Sequence, residues 1–208
     1  MQDCDDFNKR QQFIRSALPT EWLGYAEDLA DAAEALWAVQ GDGQCVAVTQ
    51  SIDRLTGITR ETAHARSYML LVGLALENAL KAYLVTLDPR LINTGELDRS
   101  LHTHSLMTLA SRLPITLSDE EVDVLEKCQE AVPYWGRYPI PLTYRKLSPA
   151  HAASAEFRAT AKQLHYRIGC AIHALVRDGW DSGAGPRTIK VRNKKYGDTM
   201  DDSEPSSE

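Results

Sequence analysis

The stretch VGLALENALKAYLV, residues 72–85, indicates the centre of the fold, because it is apolar enough for a core helix yet carries charges in its middle. Its leucines and alanines recur three and four residues apart, as on one face of a helix. The uninterrupted apolar run before the first charge, residues 68–76, is about half of the roughly 20 residues that a membrane-spanning helix needs. We therefore predict a protein core helix, not a membrane anchor, over about residues 59–86.

Glu77 lies among leucines on one face of this predicted helix. An unpaired carboxylate in apolar surroundings costs several kcal/mol. Lys81 follows four residues later, but an exposed pair of this kind contributes only about 0.3 to 0.5 kcal/mol. We therefore expect a second cation from a distant turn, either His102 or His104 or the loop residue Arg137, to anchor that turn on the central helix.

The rest of the chain also reads as helices separated by turns. Apolar periodicity, capping residues and prolines predict helices over residues 4–16, 20–39, 104–113, 118–132 and 148–176, the last with Ser148 as cap and Pro149 at its first position. Residues 45–57 are ambiguous, and no segment shows convincing two-residue alternation. The predicted fold class is all-α, a single bundle of four to six helices.

Length and composition predict one domain. Residues 1–18 form an N-terminal extension with a short helix, residues 19–180 form the bundle, and residues 181–208 form a flexible charged tail rich in Gly, Ser, Asp and Lys. The formal charge of -6 disfavours broad, nonspecific binding of nucleic acid, but it is compatible with a local basic site.

Cysteine usage and the acidic first residues predict a cytoplasmic protein. The four cysteines are widely separated and form no disulfide or zinc pattern, and no apolar stretch follows the start of the chain. His102 and His104 are two residues apart, which does not suit a helical metal pair. Motifs typical of nucleotide-binding loops and of common hydrolases are absent from the sequence. We expect neither a metal nor a cofactor.

Three segments in this order resemble the HEPN superfamily (higher eukaryotes and prokaryotes nucleotide-binding), bacterial type with an RYP loop. They are GLALENALKAYL, HTHSLMTLASRL and DEEVDVLEKCQEAVPYWGRYPIP, and the resemblance covers about residues 20–178. It implies a helical bundle that often dimerises and, in many members, a metal-independent RNase. In those RNases an arginine holds the scissile phosphate, and a histidine with four to six residues between it and the arginine moves a proton.

The resemblance makes Arg158, His165 and His151 the candidate catalytic residues. Arg158 and His165 have six residues between them, and His151 precedes Arg158 by seven, so all three share one face of the last predicted helix. Three other spacings also fit: Arg145 with His151, Arg167 with His173, and Arg99 with His104. Alanine follows Arg158 where the RNases tend to carry a polar residue, so an RNase site, a noncatalytic RNA or nucleotide contact and an ordinary polar helix border all stay open.

The remaining candidate binding residues lie in the loop around residue 137 and near the central acid. Trp135, Arg137 and Tyr138 combine aromatic rings, a guanidinium and flanking prolines, which suits stacking and phosphate binding, unless Arg137 instead reaches inward to Glu77. The full set of candidate binding residues is Trp135, Arg137, Tyr138, Arg145, His104, Glu77 and Lys81.

The sequence and the resemblance together suggest a homodimeric bacterial protein in a toxin, defence or stress system. Its expected activity is that of a metal-independent endoribonuclease. The alternative is a noncatalytic nucleotide-, RNA- or protein-binding module that acts as a dimeric adaptor or sensor. The expected partners are RNA or a nucleotide and a cognate antitoxin or other system protein, with no membrane.

Overall fold

Helices dominate the computed structural model, which describes residues 2–40, 44–50, 55–62, 64–135 and 153–197. The described residues form α1 (Gln2–Ser16), α2 (Pro19–Gln40), α3 (Ala65–Leu87), α4 (Leu106–Ala110), α5 (Asp119–Glu130) and α6 (Ala155–Val176). They also form two antiparallel pairs, β1 (Gln44–Gln50) with β2 (Leu55–Thr62) and β3 (Trp180–Asp181) with β4 (Arg187–Thr188). The predicted all-α helical bundle is confirmed, with two small ribbons added.

Helix α3 is the centre of the bundle and contacts α2, α4, α5 and α6. It is long and apolar enough to cross a membrane by length and composition, yet most of it is buried inside the protein. At Gly73 an added Cβ would come within 2.8 Å of the Val132 side chain and 3.1 Å of the Cys128 carbonyl oxygen. The glycine therefore permits the close approach of α3 to the end of α5. Around α3 the largest fully buried side chains include Leu76, Leu80, Leu106, Leu125, Leu164 and Ile168.

The start of α3 differs from the prediction, because the helix begins at Ala65 and not near residue 59. Residues 55–62 are instead paired with residues 44–50 in an antiparallel hairpin, with Gln44 opposite Thr62. Both segments are rich in Val, Ile and Thr, which favour strands. His64 then has a left-handed backbone conformation, φ 57°, which separates the hairpin from the helix.

Serine caps define two of the other helices. Ser118 and Glu121 form a reciprocal capping box at the start of α5, as the predicted Ser118 cap requires. The predicted start of the last helix at Ser148 is wrong: α6 begins at Ala155, and the Ser154 hydroxyl accepts the amide of Phe157. Both serines are adequate caps locally, so sequence pattern could not rank them.

The two ends of the described chain pack on the bundle. Ile14 of α1 is fully buried, and the Gln11 side chain donates to the Ala184 carbonyl oxygen at 2.8 Å. Trp180 donates its indole N–H to the Thr86 carbonyl oxygen at 3.0 Å, and Tyr196 is buried. Residues 181–197 thus differ from the predicted flexible tail, since a few large anchors hold a polar segment in place. Residues 198–208 lie outside the described part of the chain.

Candidate functional site

A cavity of about 660 Å³ opens between α2, α3 and α6. Small apolar side chains form much of its wall, among them Ala30, Ala33, Val72, Ala75, Leu76 and Ala161. The charged and polar side chains in its lining are Asp31, Glu34, Tyr68, Arg158, Lys162, Gln163, His165, Tyr166 and Lys195. Apolar walls with a few polar groups are typical of a small-molecule site.

Helical spacing brings the α6 residues to the cavity. Arg158, Lys162 and His165 follow each other at steps of four and three residues, so they lie on one face of the helix. On α2, Asp31 and Glu34 are three residues apart and face the same space. The structure therefore brings together two of the three candidate catalytic residues, Arg158 and His165. The third, His151, lies outside the described residues.

Glu34 is the electrostatic centre of this cavity. Its two carboxylate oxygens accept hydrogen bonds from Arg158 Nε at 3.1 Å and Arg158 Nη2 at 2.5 Å, and Lys162 Nζ donates to Oε2 at 2.8 Å. Partial burial tends to raise the pKa of Glu34, but the hydrogen bonds from Arg158 and Lys162 outweigh it and leave that pKa below its ordinary value. The guanidinium also lies 5.3 Å from the centre of the Trp37 ring. Arg158 is thus held by an acid and an aromatic ring from α2.

His165 contributes a neutral imidazole to the cavity wall. Its exposed fraction is 7%, and burial lowers its pKa to about 4, with the charge of Lys195 acting in the same direction. The Nε2 atom has no hydrogen-bond partner among the described residues. Because the ring is neutral near pH 7, it can accept a proton but is a weak base.

Tyr68 from α3 lies beside Glu34 and Arg158 in the same wall. The ring packs against Trp37 at 5.1 Å and against Phe157 at 6.5 Å between centroids. Burial raises the pKa of Tyr68, and the charge of Glu34 raises it further. The residue is 2% exposed, and its hydroxyl makes no hydrogen bond of good geometry within the described chain. Buried hydroxyls usually have a hydrogen-bond partner, so the Tyr68 hydroxyl is a polar group of the cavity wall that can still form a hydrogen bond.

The segment after α6 carries a further cation to the cavity. Tyr196 packs so closely on α6 that a Cβ added at Gly169 would clash with its ring. The Tyr196 ring also lies 5.9 Å from the rings of Tyr166 and His173, measured between centroids. This packing positions Lys195 in the cavity lining, 3.9 Å from Asp31. Sequence reasoning placed Lys195 in a mobile tail and did not single out Glu34, Lys162 or Tyr68.

A second charged centre lies around Glu77. Lys81 Nζ donates to Glu77 Oε1 at 2.6 Å, and His104 Nδ1 lies 3.0 Å from Oε2 and 3.1 Å from Oε1. The predicted contact from a distant turn to Glu77 is therefore made by His104, while His102 contacts the Leu97 carbonyl oxygen instead. The estimate of the lysine pair as an exposed one is wrong, because the Lys81 side chain is only 8% exposed.

The alternative pair of Arg167 and His173 does not form a comparable site, because the two side chains have separate partners. Arg167 donates to the Thr116 carbonyl oxygen and to Glu121, where it secures the start of α5, whereas His173 packs against Tyr196. Residues 136–152 lie outside the described chain, so Arg137, Tyr138, Arg145 and the side chain of Trp135 have no observed position. In residues 2–40, 44–50, 55–62, 64–135 and 153–197 no group of three His, Cys, Asp or Glu could hold a metal ion.

Comparison with other proteins adds no relative: the sequence matches no family model, and no curated protein or solved structure is significantly similar to it. The cavity is thus characterised by its geometry and charge.

Proposed function

We propose that this chain is a HEPN-like protein whose α2–α3–α6 cavity binds a nucleotide and that it acts as a noncatalytic binding module. The observation that carries the proposal is the juxtaposition of Arg158 and Lys162 with a largely apolar cavity of about 660 Å³. That volume is within the range of roughly 300 to 1,000 Å³ that small-ligand sites occupy.

The cavity offers separate surfaces for the two ends of a nucleotide. Lys162 and Lys195 have side chains that are 54% and 40% exposed, so their ammonium groups can reach a phosphate. The small side chains of α2, α3 and α6 leave room for a flat base, and the partly exposed Tyr166 ring at the edge can stack on it. An amphiphilic ligand with an anionic end matches this arrangement.

The state of Arg158 and His165 favours binding over cleavage. Glu34 already occupies two donors of the guanidinium, and an imidazole with a pKa of about 4 is poorly matched to proton transfer near neutral pH. In a binding site, Arg158 and His165 need not react and can act only as part of the cavity wall.

Nucleotide binding is tested by calorimetric titration of the purified protein with adenosine nucleotides. Lys162→Gln removes an accessible ammonium group, so we expect Kd to rise about tenfold, as for the loss of one charge-assisted hydrogen bond. Lys9→Gln is the matched control, because Lys9 pairs with Asp5 on the exposed surface of α1. Absence of saturable binding by the parent protein, or equal effects of the two substitutions, contradicts the proposal.

Endoribonuclease activity is the second candidate function, and the observation that favours it is that Arg158 and His165 line one cavity. The test is incubation of labelled tRNA and mRNA with the protein in EDTA, alongside Arg158→Ala, His165→Ala and His151→Ala. Cleavage by the parent that Arg158→Ala and His165→Ala abolish supports this function. Cleavage that survives all three substitutions places any RNase site elsewhere.

The proposal extends to the cellular setting on the strength of the HEPN resemblance. The protein acts as a cytoplasmic homodimer in a bacterial toxin, defence or stress system, with a cognate protein partner. Sedimentation of the purified chain tests the dimer, and a monomer at all concentrations contradicts it.

A further inference from the structure

We propose that the cavity selects a nucleotide carrying a single negative charge, a cyclic nucleoside monophosphate, over linear mono- and polyphosphates. This inference rests on the proposed nucleotide-binding function and specifies its ligand class. It follows from the count and availability of the charges around the cavity.

The charged lining of the cavity has a small positive surplus. Three cations, Arg158, Lys162 and Lys195, face two acids, Glu34 and Asp31. The neighbouring His165 is neutral near pH 7, because burial lowers its pKa to about 4. The lining therefore has a net charge of +1, which one negative charge on a ligand neutralises.

Two of these three cations have donors that can meet a phosphate. The Nε and Nη2 donors of Arg158 both point to Glu34, which also accepts from Lys162. Lys195 is 3.9 Å from Asp31, beyond hydrogen-bond distance, so its ammonium protons are available. Lys162 has three donors and uses one on Glu34. Two lysine ammonium groups are thus the donors available for an anionic group.

The acids penalise any additional negative charge. A linear phosphate monoester carries about -1.5 to -2 at pH 7, and each further phosphate adds more. A second negative charge in this cavity has no surplus cation to pair with and lies near the carboxylates of Glu34 and Asp31. Like charges brought together in a partly buried site cost affinity, which is how such a site discriminates between ligands.

The deciding experiment is a calorimetric series on the full chain with adenosine, 3′,5′-cyclic AMP, AMP and ATP. We expect cyclic AMP to bind at least about tenfold more tightly than AMP and ATP, and more tightly than uncharged adenosine. Tighter binding of AMP or ATP, or equal binding of adenosine, overturns the single-charge inference and leaves nucleotide binding intact. Failure of all four to bind overturns the proposed function as well.

Two substitutions test whether the acids set the preference. Glu34→Gln and Asp31→Asn each raise the net charge of the lining to +2, and we expect each to shift the ratio of the AMP and cyclic AMP Kd values toward AMP by about tenfold. Asp31 has a largely exposed side chain, so its substitution is safe for folding if Glu34→Gln is not. Asp5→Asn on α1 is the control and should leave the ratio unchanged. An unchanged ratio in Asp31→Asn and Glu34→Gln overturns the charge argument.

Discussion

Glu77 and Glu34 each contact two basic side chains, but their surroundings differ. The carboxylate side chain of Glu77 is 6% exposed, and one partner, Lys81, is almost as buried. The side chain of Glu34 is 26% exposed and that of its partner Arg158 is 33% exposed, at the edge of a cavity. The comparison shows one type of ion pair in two settings. The buried pair of Glu77 and Lys81, here called the dry centre, lies in the core, and the partly exposed pair of Glu34 and Arg158, here called the wet centre, lies at the edge of a cavity.

The sequence distance between partners also separates the two centres. Lys81 follows Glu77 by four residues on one helix, so the pair forms as soon as α3 does. Arg158 is 124 residues from Glu34, and the pair forms only when α6 docks against α2. The Glu77 centre therefore depends on one helix and an adjacent turn, whereas the Glu34 centre depends on the packing of two helices.

The largest effect is expected at the dry centre. Glu77→Gln leaves the Lys81 ammonium buried without its carboxylate, which should lower the free energy of unfolding by about 3 to 5 kcal/mol. Denaturant unfolding measures this loss. The control is His104→Ala, because the His104 side chain is 60% exposed and its loss should cost less than about 1 kcal/mol. Equal losses in the free energy of unfolding for the two variants would show that the Lys81 ammonium does not need the Glu77 carboxylate to remain buried.

The second-largest effect is a loss of folding stability on acidification, caused by His165 in the cavity wall. Burial lowers the folded-state pKa from its ordinary value of about 6.5 to about 4. Between these values the unfolded chain takes up a proton that the folded chain refuses, so stability falls as pH falls from 6.5 to 4. The loss is on the order of 3 kcal/mol.

Unfolding of the parent and of His165→Gln, compared from pH 7 to pH 4, isolates this contribution from that of the carboxylates. We expect the parent to lose more stability than His165→Gln over this interval. His102→Gln at the exposed turn is the control and should follow the parent. If stability falls equally with pH in the parent and in His165→Gln, the imidazole is not buried and neutral. The nearby charges of Lys195 and Asp31 also affect the proton uptake of this ring.

The smallest stability effect is expected at the wet centre. Glu34→Gln removes a partly exposed pair, so the free energy of unfolding should fall by less than about 1 kcal/mol, and by less still at high salt. Asp123→Asn, which breaks the exposed pair with Lys127 on α5, is the matched control for denaturant unfolding. A loss of unfolding free energy as large as that of Glu77→Gln would mean that the two centres contribute equally to the stability of the fold.

Sequence reasoning succeeded where the deciding interactions are local or energetically obligatory. Helical periodicity predicted the bundle, and Ser118 predicted the start of α5. The cost of an unpaired buried carboxylate predicted that a side chain from a distant turn would reach Glu77, and His104 does so. Spacing on α6 predicted that Arg158 and His165 share a face, and both line the cavity.

The errors have physical causes that local pattern does not reveal. The paired segments Gln44–Gln50 and Leu55–Thr62 have too little apolar alternation for a strand signal, and their stability depends on pairing with each other. Ser148 and Ser154 are both competent caps, and packing of α6 decides between them. Residues 181–197 have a composition typical of a mobile tail, yet Trp180 and Tyr196 hold the segment on the bundle.

The pattern of residues along the chain is enough to establish that it forms helices, which of their faces are apolar, and that a charge inside α3 needs a partner. These properties depend on residue spacing and desolvation, and both can be read along the chain. The contact between Glu34 and Arg158 and the position of Lys195 in the same cavity wall follow from the packing of the helices, because contacts across more than a hundred residues cannot be read from local spacing.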